Sequence, residues 1–449
     1  MTDDLFSIFK SYDIRGQVGS VLNKKIVKRI AMAYGVWLPI KGTVAVGHDM
    51  RPDSKELAQA FIDGLTDVGL DVWDIGLVTS DMIYFAIGKW GLSGGAVITA
   101  SHNPGKDNGI KLYRDHVTAV GLDSGLDKIR DIVLSKESIS NPTAKGKVER
   151  ISITKEWVEH CLGFISELKP FKVAIDAGNG MAGAILPAIL PKLPLKVKQM
   201  YFDLDGTFPN HEANPQKTEN LSDLVQAVKE NSLDLGIAFD GDGDRAVLVD
   251  DCGRPVNGSD MISLISKLYL NKYPNSKIVY DVRTSRATRE LIKQWGGEPI
   301  RSKAGRVYIG AKMREIGAPF GGETTGHMFF KENYDADSGL IGSLVAMQAI
   351  SDSGKKLSEL VDEYRRLFMI PEMNLDVSQN KEAVFTRLAK EYASLPQDKL
   401  DGLTVTGDSF WFNLRVSNTE PVMRFNAEAN SKQILDKLVD NVVRIITKE

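Results

Sequence analysis

The chain has 449 residues, 43% of them hydrophobic and 26% charged, with a formal net charge of −3. That balance excludes long-range attraction to nucleic acid or to anionic lipid, and no run of eighteen apolar residues offers a membrane span. The acidic start Met1-Thr2-Asp3-Asp4 lacks the basic-then-apolar layout of a secretory signal, so a cytoplasmic protein is expected. The length is too great for one core and predicts three or four domains. Cys161 and Cys252 form no disulfide framework and have no metal-ligand spacing.

In chain order, the apolar segment Thr43–Asp49 reads as a strand ending in an aspartate. Pro52-Asp53-Ser54 then offers a helix start, and Leu57, Phe61, Leu65 and Val68 recur at near-helical spacing before a second strand, Leu70–Ile75. Strand, helix and strand make a crossover unit. The same plan, an apolar run closing on Asp at a turn, recurs at Phe171–Asp176, Leu235–Asp240 and Ser276–Asp281. Repeated crossovers predict α/β domains with mixed or parallel sheets, whose ligands gather beyond the carboxyl ends of the strands. The last eighty or so residues change pattern: a helix over Lys381–Tyr392, strands at Leu403–Thr406, Ser409–Arg415 and Val422–Ala429, and a helical face on Ile434, Leu438, Val442 and Ile445. A small α+β domain is expected there, entered through a linker at Met369–Gln379. The expected boundaries are 1–149, 150–253, 254–368 and 369–449.

Several loops carry chemistry. Asp240-Gly241-Asp242-Gly243-Asp244-Arg245 follows the run Leu235–Phe239. Three ionised carboxylates where water is scarce are costly unless a cation compensates, and hard oxygen ligands favour magnesium or calcium. An EF-hand loop would need Gly at the sixth place and Glu at the twelfth, where this chain has Arg245 and Asp251. A solvated turn with Arg245 as counter-ion is the blander alternative. Thr99-Ala100-Ser101-His102-Asn103-Pro104 ends the strand Gly95–Ile98. Ser101 there is either a turn hydroxyl or a group carrier with His102 beside it. Gly321-Gly322-Glu323-Thr324-Thr325-Gly326-His327 offers a carboxylate grip for adjacent sugar hydroxyls and a titratable imidazole. Arg415-Val416-Ser417-Asn418-Thr419-Glu420-Pro421, with Arg424 beyond it, gathers the donors that hold a phosphate dianion. Arg283, just past the Asp281 strand end, and Arg306 complete the substrate-binding candidates. Asp203-Leu204-Asp205-Gly206-Thr207 matches the nucleophile motif of haloacid-dehalogenase phosphatases, but its lead-in Leu195–Met200 is only half apolar and Phe208-Pro209-Asn210 follows where a helix or cap should develop.

The Ser101, Asp240, Glu323 and Arg415 loops, in that order and preceded by Tyr12-Asp13-Ile14-Arg15-Gly16, resemble the α-D-phosphohexomutase superfamily over nearly the whole chain. Ser-Asn-Thr-Glu-Pro at 417–421 is most similar to the bacterial phosphomannomutase/phosphoglucomutase group, where phosphoglucosamine mutases usually read Ser-Gly-Thr-Glu-Pro. The resemblance implies three related α/β domains and a smaller fourth around one cleft. It implies interconversion of hexose 1- and 6-phosphates of mannose or glucose through phosphorylated Ser101 and a hexose 1,6-bisphosphate. Mg²⁺ would be held by Asp240, Asp242, Asp244 and the phosphoserine, with glucose 1,6-bisphosphate or mannose 1,6-bisphosphate as activator. It further implies sugar contacts from Glu323 and Thr325, phosphate contacts from Arg415, Ser417, Asn418 and Thr419, and proton transfer or charge stabilisation by Arg15, Lys111 and His327. A monomer or homodimer acting on hexose phosphates, with no macromolecular partner, is expected. Two departures bear on the sugar: Thr325 replaces the usual Ser, and Lys303-Ala304-Gly305-Arg306 replaces Lys-Thr-Gly-His, so that Arg306 adds a phosphate contact or narrows the cleft. The rival readings are a phosphoglucosamine mutase, to which Asp107-Asn108-Gly109-Ile110-Lys111 has some likeness, and a non-catalytic sugar-phosphate-binding protein.

Overall fold

Four sheets organise the chain in the computed structural model, which describes residues 2–135, 137–139, 144–376, 380–417 and 422–447. The first has seven strands. Its centre, Val44–His48, lies parallel to Val72–Leu77 and to Gly94–Ile98, and the latter is antiparallel to Asp107–Arg114. The second sheet pairs Phe171–Asp176 in parallel with Leu195–Met200 and with Leu235–Phe239, which turns back antiparallel into Ala246–Asp250. In the third, Lys277–Asp281 lies parallel to Glu298–Ser302 and to Phe320–Gly322, which turns back into Met328–Phe330. Each of these three sheets is mixed in the same way, with a parallel centre and an antiparallel return. The return places a loop at the carboxyl end of a buried strand, and those loops are the ones that carry chemistry.

The fourth sheet is antiparallel throughout, built on Leu403–Thr406, Phe410–Val416 and Met423–Ala429. The segment expected as a linker is partly structured. Phe368–Met369 and Met373–Leu375 both add to Met423–Ala429 as short edge strands, while residues 377–379 lie outside the described residues. Pro371 between them carries no N–H, a constraint an edge tolerates.

Local signals fix the helices. Asn23 caps Lys24–Trp37 by accepting from Ile26 N, Ser285 caps Arg286–Gln294, and Ser338 caps Gly339–Ser353. The helix expected after Pro52-Asp53-Ser54 runs from Ser54 to Asp67, but Asp53 makes no side-chain cap. Ser54 Oγ instead donates to Asp49 Oδ1 at 2.5 Å, tying the helix start to the strand end.

One continuous apolar cluster runs from Phe85 and Trp157 through Ile175 and Phe239 to Phe320 and Phe330, joining the first three sheets. The other face of the first sheet has its own core around Tyr34, Phe61 and Leu112. The fourth sheet and its helices enclose a separate core of Val384, Phe412, Phe425 and Val442. Among the described residues no helix is long and apolar enough to cross a membrane.

Candidate active site

Ser101 follows strand Gly94–Ile98 in the left-handed region at φ +52°, a strained conformation for a residue with a Cβ. Two guanidinium groups hold it there. Arg51 reaches four backbone carbonyls, Ser101 O at 2.9 Å, Asn103 O at 2.6 Å, Pro104 O at 2.7 Å and Asp107 O at 2.8 Å. Arg15 donates to Ala100 O at 2.9 Å and to Asn103 Oδ1 at 2.5 Å. Each of these arginines is aimed by an aspartate two residues earlier: Asp13 accepts from Arg15 Nε at 2.9 Å, and Asp49 pairs with Arg51 Nε at 3.3 Å. Asp281 and Arg283 repeat the device at 3.0 Å. Arg51 was not singled out in the sequence; this Asp-x-Arg spacing, repeated at Asp13/Arg15, Asp49/Arg51 and Asp281/Arg283, is the signal that could have found it.

The Asp240 loop turns between Leu235–Phe239 and Ala246–Asp250 and abuts Ser101. Ser101 Oγ donates to Asp240 Oδ2 at 2.8 Å. The approach depends on Gly241, where a Cβ would lie 2.3 Å from Ser101 O. Asp240, Asp242 and Asp244 are fully buried, with oxygens within 4.8 Å of one another. Arg245 donates to Asp240 Oδ2 from Nε at 2.9 Å and from Nη2 at 2.8 Å. Lys111 Nζ bridges Asp242 Oδ2 at 2.6 Å and Asp244 Oδ2 at 2.5 Å, and Ser80 Oγ donates to Asp242 Oδ2 at 2.5 Å. Of the remaining oxygens, Asp240 Oδ1 accepts from Arg245 N at 3.2 Å, while Asp242 Oδ1 and Asp244 Oδ1 are buried without a hydrogen-bond partner. A cage of three carboxylates with two orphaned oxygens beside a serine hydroxyl is the donor set of a hard divalent cation, so these residues fit Mg²⁺.

The charges are uneven. Burial, with repulsion from Asp244 and Asp242 and against the pull of Arg245, pushes the Asp240 carboxyl up to about 7. Burial also opposes ionisation of Asp242, yet the Lys111 ammonium holds that carboxyl well below the usual range. Desolvation disfavours the Lys111 charge, but Asp242 and Asp244 outweigh it and raise its pKa. His102 is different. Its Nδ1 lies 3.2 Å from Ser101 Oγ and 2.5 Å from Arg245 Nη2, and burial together with Arg245 lowers its pKa well below the ordinary histidine value.

The third sheet brings its loop to the same place. His327 Nδ1 lies 2.5 Å from Asp337 Oδ2 and 3.8 Å from Asp244 Oδ1. Burial works against the imidazolium, but Asp244 and Asp337 prevail and raise its pKa. Glu323 accepts from Arg283 Nη2 at 2.6 Å. Thr325 turns its carbonyl to Gln216 Nε2 at 2.9 Å, tying this loop to the second sheet's unit. Arg306 stacks on Tyr113, its Cζ 5.3 Å from the ring centroid, and donates to the Tyr113 hydroxyl, while its buried Nη2 has no hydrogen-bond partner.

The fourth sheet supplies Arg415 and Arg424, directly opposite one another on antiparallel strands. Glu372, absent from the sequence-based candidates, binds both: Arg415 Nη2 at 3.1 Å and Arg424 Nη1 at 3.2 Å. Ser417 N donates to Val422 O at 2.9 Å. Asn418 and Thr419 lie outside the described residues. The Asp203–Thr207 stretch is a docking loop: a Cβ at Gly206 would lie 2.6 Å from Arg51 Cα, and one at Gly105 the same distance from Gly206 O.

A serine hydroxyl set against a buried cation cage suits phosphoryl transfer, in which alignment and charge neutralisation do most of the catalysis. The class is thus a phosphotransfer enzyme of α/β build. Sequence models for phosphoglucomutase/phosphomannomutase alpha/beta/alpha domains I, II and III match residues 7–140, 155–253 and 257–367, and the model for the C-terminal domain matches 372–445. The chain belongs to the phosphoglucomutase/phosphomannomutase family. It is 38% identical over 431 residues to a protein of Xanthomonas campestris pv. campestris named "Phosphohexose mutases", covering 95% of this chain and 96% of that one. It is 36% identical to the phosphomannomutase of Vibrio cholerae over 98% of both chains. A crystal structure of a phosphoglucomutase/phosphomannomutase family protein from Burkholderia thailandensis superposes with a TM-score of 0.90 at 31% identity, covering 98% of this chain and 96% of that one.

Proposed function

We propose that the chain is a phosphohexomutase that interconverts 1- and 6-phosphates of mannose, glucose or both. The observation that carries this is the 2.8 Å hydrogen bond from Ser101 Oγ to Asp240 inside the carboxylate cage. When bound by Asp240, Asp242, Asp244 and an oxygen of phosphorylated Ser101, Mg²⁺ supplies positive charge for the transferring phosphoryl group.

The chain's own residues do the rest. Arg51 and Arg15 fix the loop by its backbone carbonyls, and the Ser101 hydroxyl lies against Asp240. In the first transfer the bond from Ser101 Oγ to phosphorus breaks as the free sugar hydroxyl bonds to phosphorus and loses its proton. That gives a hexose 1,6-bisphosphate, whose other phosphate returns to Ser101 after the sugar reverses. Lys111, paired with Asp242 and Asp244, and His327, oriented by Asp337, would supply charge and exchange the proton. Glu323 and Thr325 would grip the sugar, and Arg415, Arg424 and Ser417, with Asn418 and Thr419, would hold the phosphate that does not react. Added glucose or mannose 1,6-bisphosphate would activate the enzyme by phosphorylating Ser101.

The test is phosphorus NMR with Mg²⁺, a trace of glucose 1,6-bisphosphate and, in separate tubes, mannose, glucose and glucosamine 1-phosphates. Growth of a 6-phosphate resonance in either of the first two tubes is expected. Conversion confined to glucosamine 1-phosphate, release of free phosphate, or no change would each refute the assignment.

A further inference from the structure

Glu372 sits between the edge strands Phe368–Met369 and Met373–Leu375, and its carboxylate is ringed by cations. Arg415 Nη2 lies 3.1 Å away, Arg424 Nη1 3.2 Å and Arg283 Nη1 3.9 Å, and Asn426 Nδ2 donates at 3.0 Å. Arg415 and Arg424 oppose each other across their strands, where like charges repel. Arg415 is 4% exposed, so its charge needs an anion close by. Guanidinium and amide N–H groups converging on one oxyanion are also what a phosphate dianion takes. The Glu372 side chain keeps 25% of its exposure, so it lies at the mouth of this cluster, and Arg415 Nε is still buried without a hydrogen-bond partner.

We propose that Glu372 is an internal counter-anion that shares the phosphate-binding arginines with the substrate and keeps their hold on phosphate weak enough to be released in every turnover. The proposal rests on reading Arg415 and Arg424 as the phosphate grip of the mutase. Its physical basis is the demand of the reaction. A bisphosphate that must leave this grip and return reversed gains nothing from a phosphate site that binds all states equally tightly, because uniform binding does not raise kcat. An incoming dianion has to compete with a carboxylate already bound to the same guanidinium groups. Glu372 also reaches Arg283, which holds Glu323 at 2.6 Å, so the counter-anion links the phosphate grip to the sugar loop.

The experiment compares wild-type protein, Glu372→Gln and Glu372→Asp, full-length, by calorimetric titration with inorganic phosphate and by steady-state kinetics. Glu372→Gln should bind inorganic phosphate about tenfold more tightly, with KM for the hexose phosphate and kcat both falling. Glu372→Asp, which keeps the charge on a shorter stem, should lie between, and it carries the test if the glutamine variant does not fold. Phosphate affinity unchanged or weaker in both variants, or a raised KM at unchanged kcat, would overturn the proposal. Failure of the mutase reading would show separately, as no sugar-phosphate conversion by the wild-type protein.

Discussion

Substituting Gly241 by alanine tests whether the two loops of the site must touch. The added Cβ would lie 2.3 Å from Ser101 O and 3.2 Å from the Ser101 carbonyl carbon. A carbon and a carbonyl oxygen sit comfortably at about 3.3–3.6 Å, so relief needs a separation of about 1 Å. Both contacts are to backbone, and Arg51 anchors that carbonyl at 2.9 Å, so the shift cannot be absorbed by a side-chain rotation. Opening the loops by that distance breaks the 2.8 Å hydrogen bond from Ser101 to Asp240. A misplacement of about 1 Å at a reacting group costs about 10²-fold in rate, and overpacking of this kind costs about 1–3 kcal/mol in stability. The assay is the initial rate of 6-phosphate formation at saturating Mg²⁺ and bisphosphate, with thermal denaturation in parallel. Inorganic phosphate affinity should be unchanged, because the fourth unit is untouched. A folded Gly241→Ala protein with turnover within about twofold of wild type would refute the reasoning.

Three further outcomes follow from the same geometry. Ser101→Ala should lack a phosphoserine resonance in the phosphorus spectrum and lose at least about 10³-fold in turnover; turnover near wild type would transfer the carrier role elsewhere. Arg51→Lys exchanges a fork serving four carbonyls for a point charge, and should lower stability by about 2–4 kcal/mol in urea denaturation; an unchanged midpoint would show that the loop holds itself. The pH dependence follows from Asp240, whose folded-state pKa is raised to about 7. The folded protein therefore keeps a proton that the unfolded chain releases, so this group's contribution favours folding at low pH and is lost as pH rises from about 4 through that value. Magnesium competes with that proton. Its affinity, measured calorimetrically, should rise with pH up to about 7 and then level off, and a pH-independent affinity would contradict the assignment.

Part of the site was legible because the Asp240 loop follows an apolar strand that the sequence closes with aspartate, and the Ser101 loop follows another apolar run, Gly94–Ile98. Phe171–Asp176 and Leu403–Thr406 form as strands over the residues expected, and Ser101 and Asp240, 139 positions apart, meet by a hydrogen bond. Arg51 and Glu372 escaped for a different reason. The role of Arg51 lies in carbonyls fifty or more positions away, and nothing in its immediate neighbours records them. Glu372 lies in a stretch whose Pro371 and polar residues read as linker, because edge strands of two and three residues become strands only through Met423–Ala429. Arg306 was legible as unusual but not in its contact, since Tyr113 comes from another sheet.

The separate core of the fourth unit has a mechanical consequence. Its contacts with the third unit include Arg286 N to Glu428 at 2.7 Å, Ala304 N to Asp401 at 3.0 Å, the Arg301–Asp398 pair and the weak reach of Arg283 to Glu372. Polar contacts of this kind exchange for water at small net cost, whereas parting the first three sheets would expose the hydrocarbon of Phe85, Trp157 and Phe320. The first three units thus share one apolar core, while the fourth, which carries the proposed phosphate-binding Arg415 and Arg424, is joined to the third through these polar contacts. Salt screens the partly exposed Arg301–Asp398 pair, so raised ionic strength should weaken the attachment of the fourth unit while leaving the shared apolar core intact.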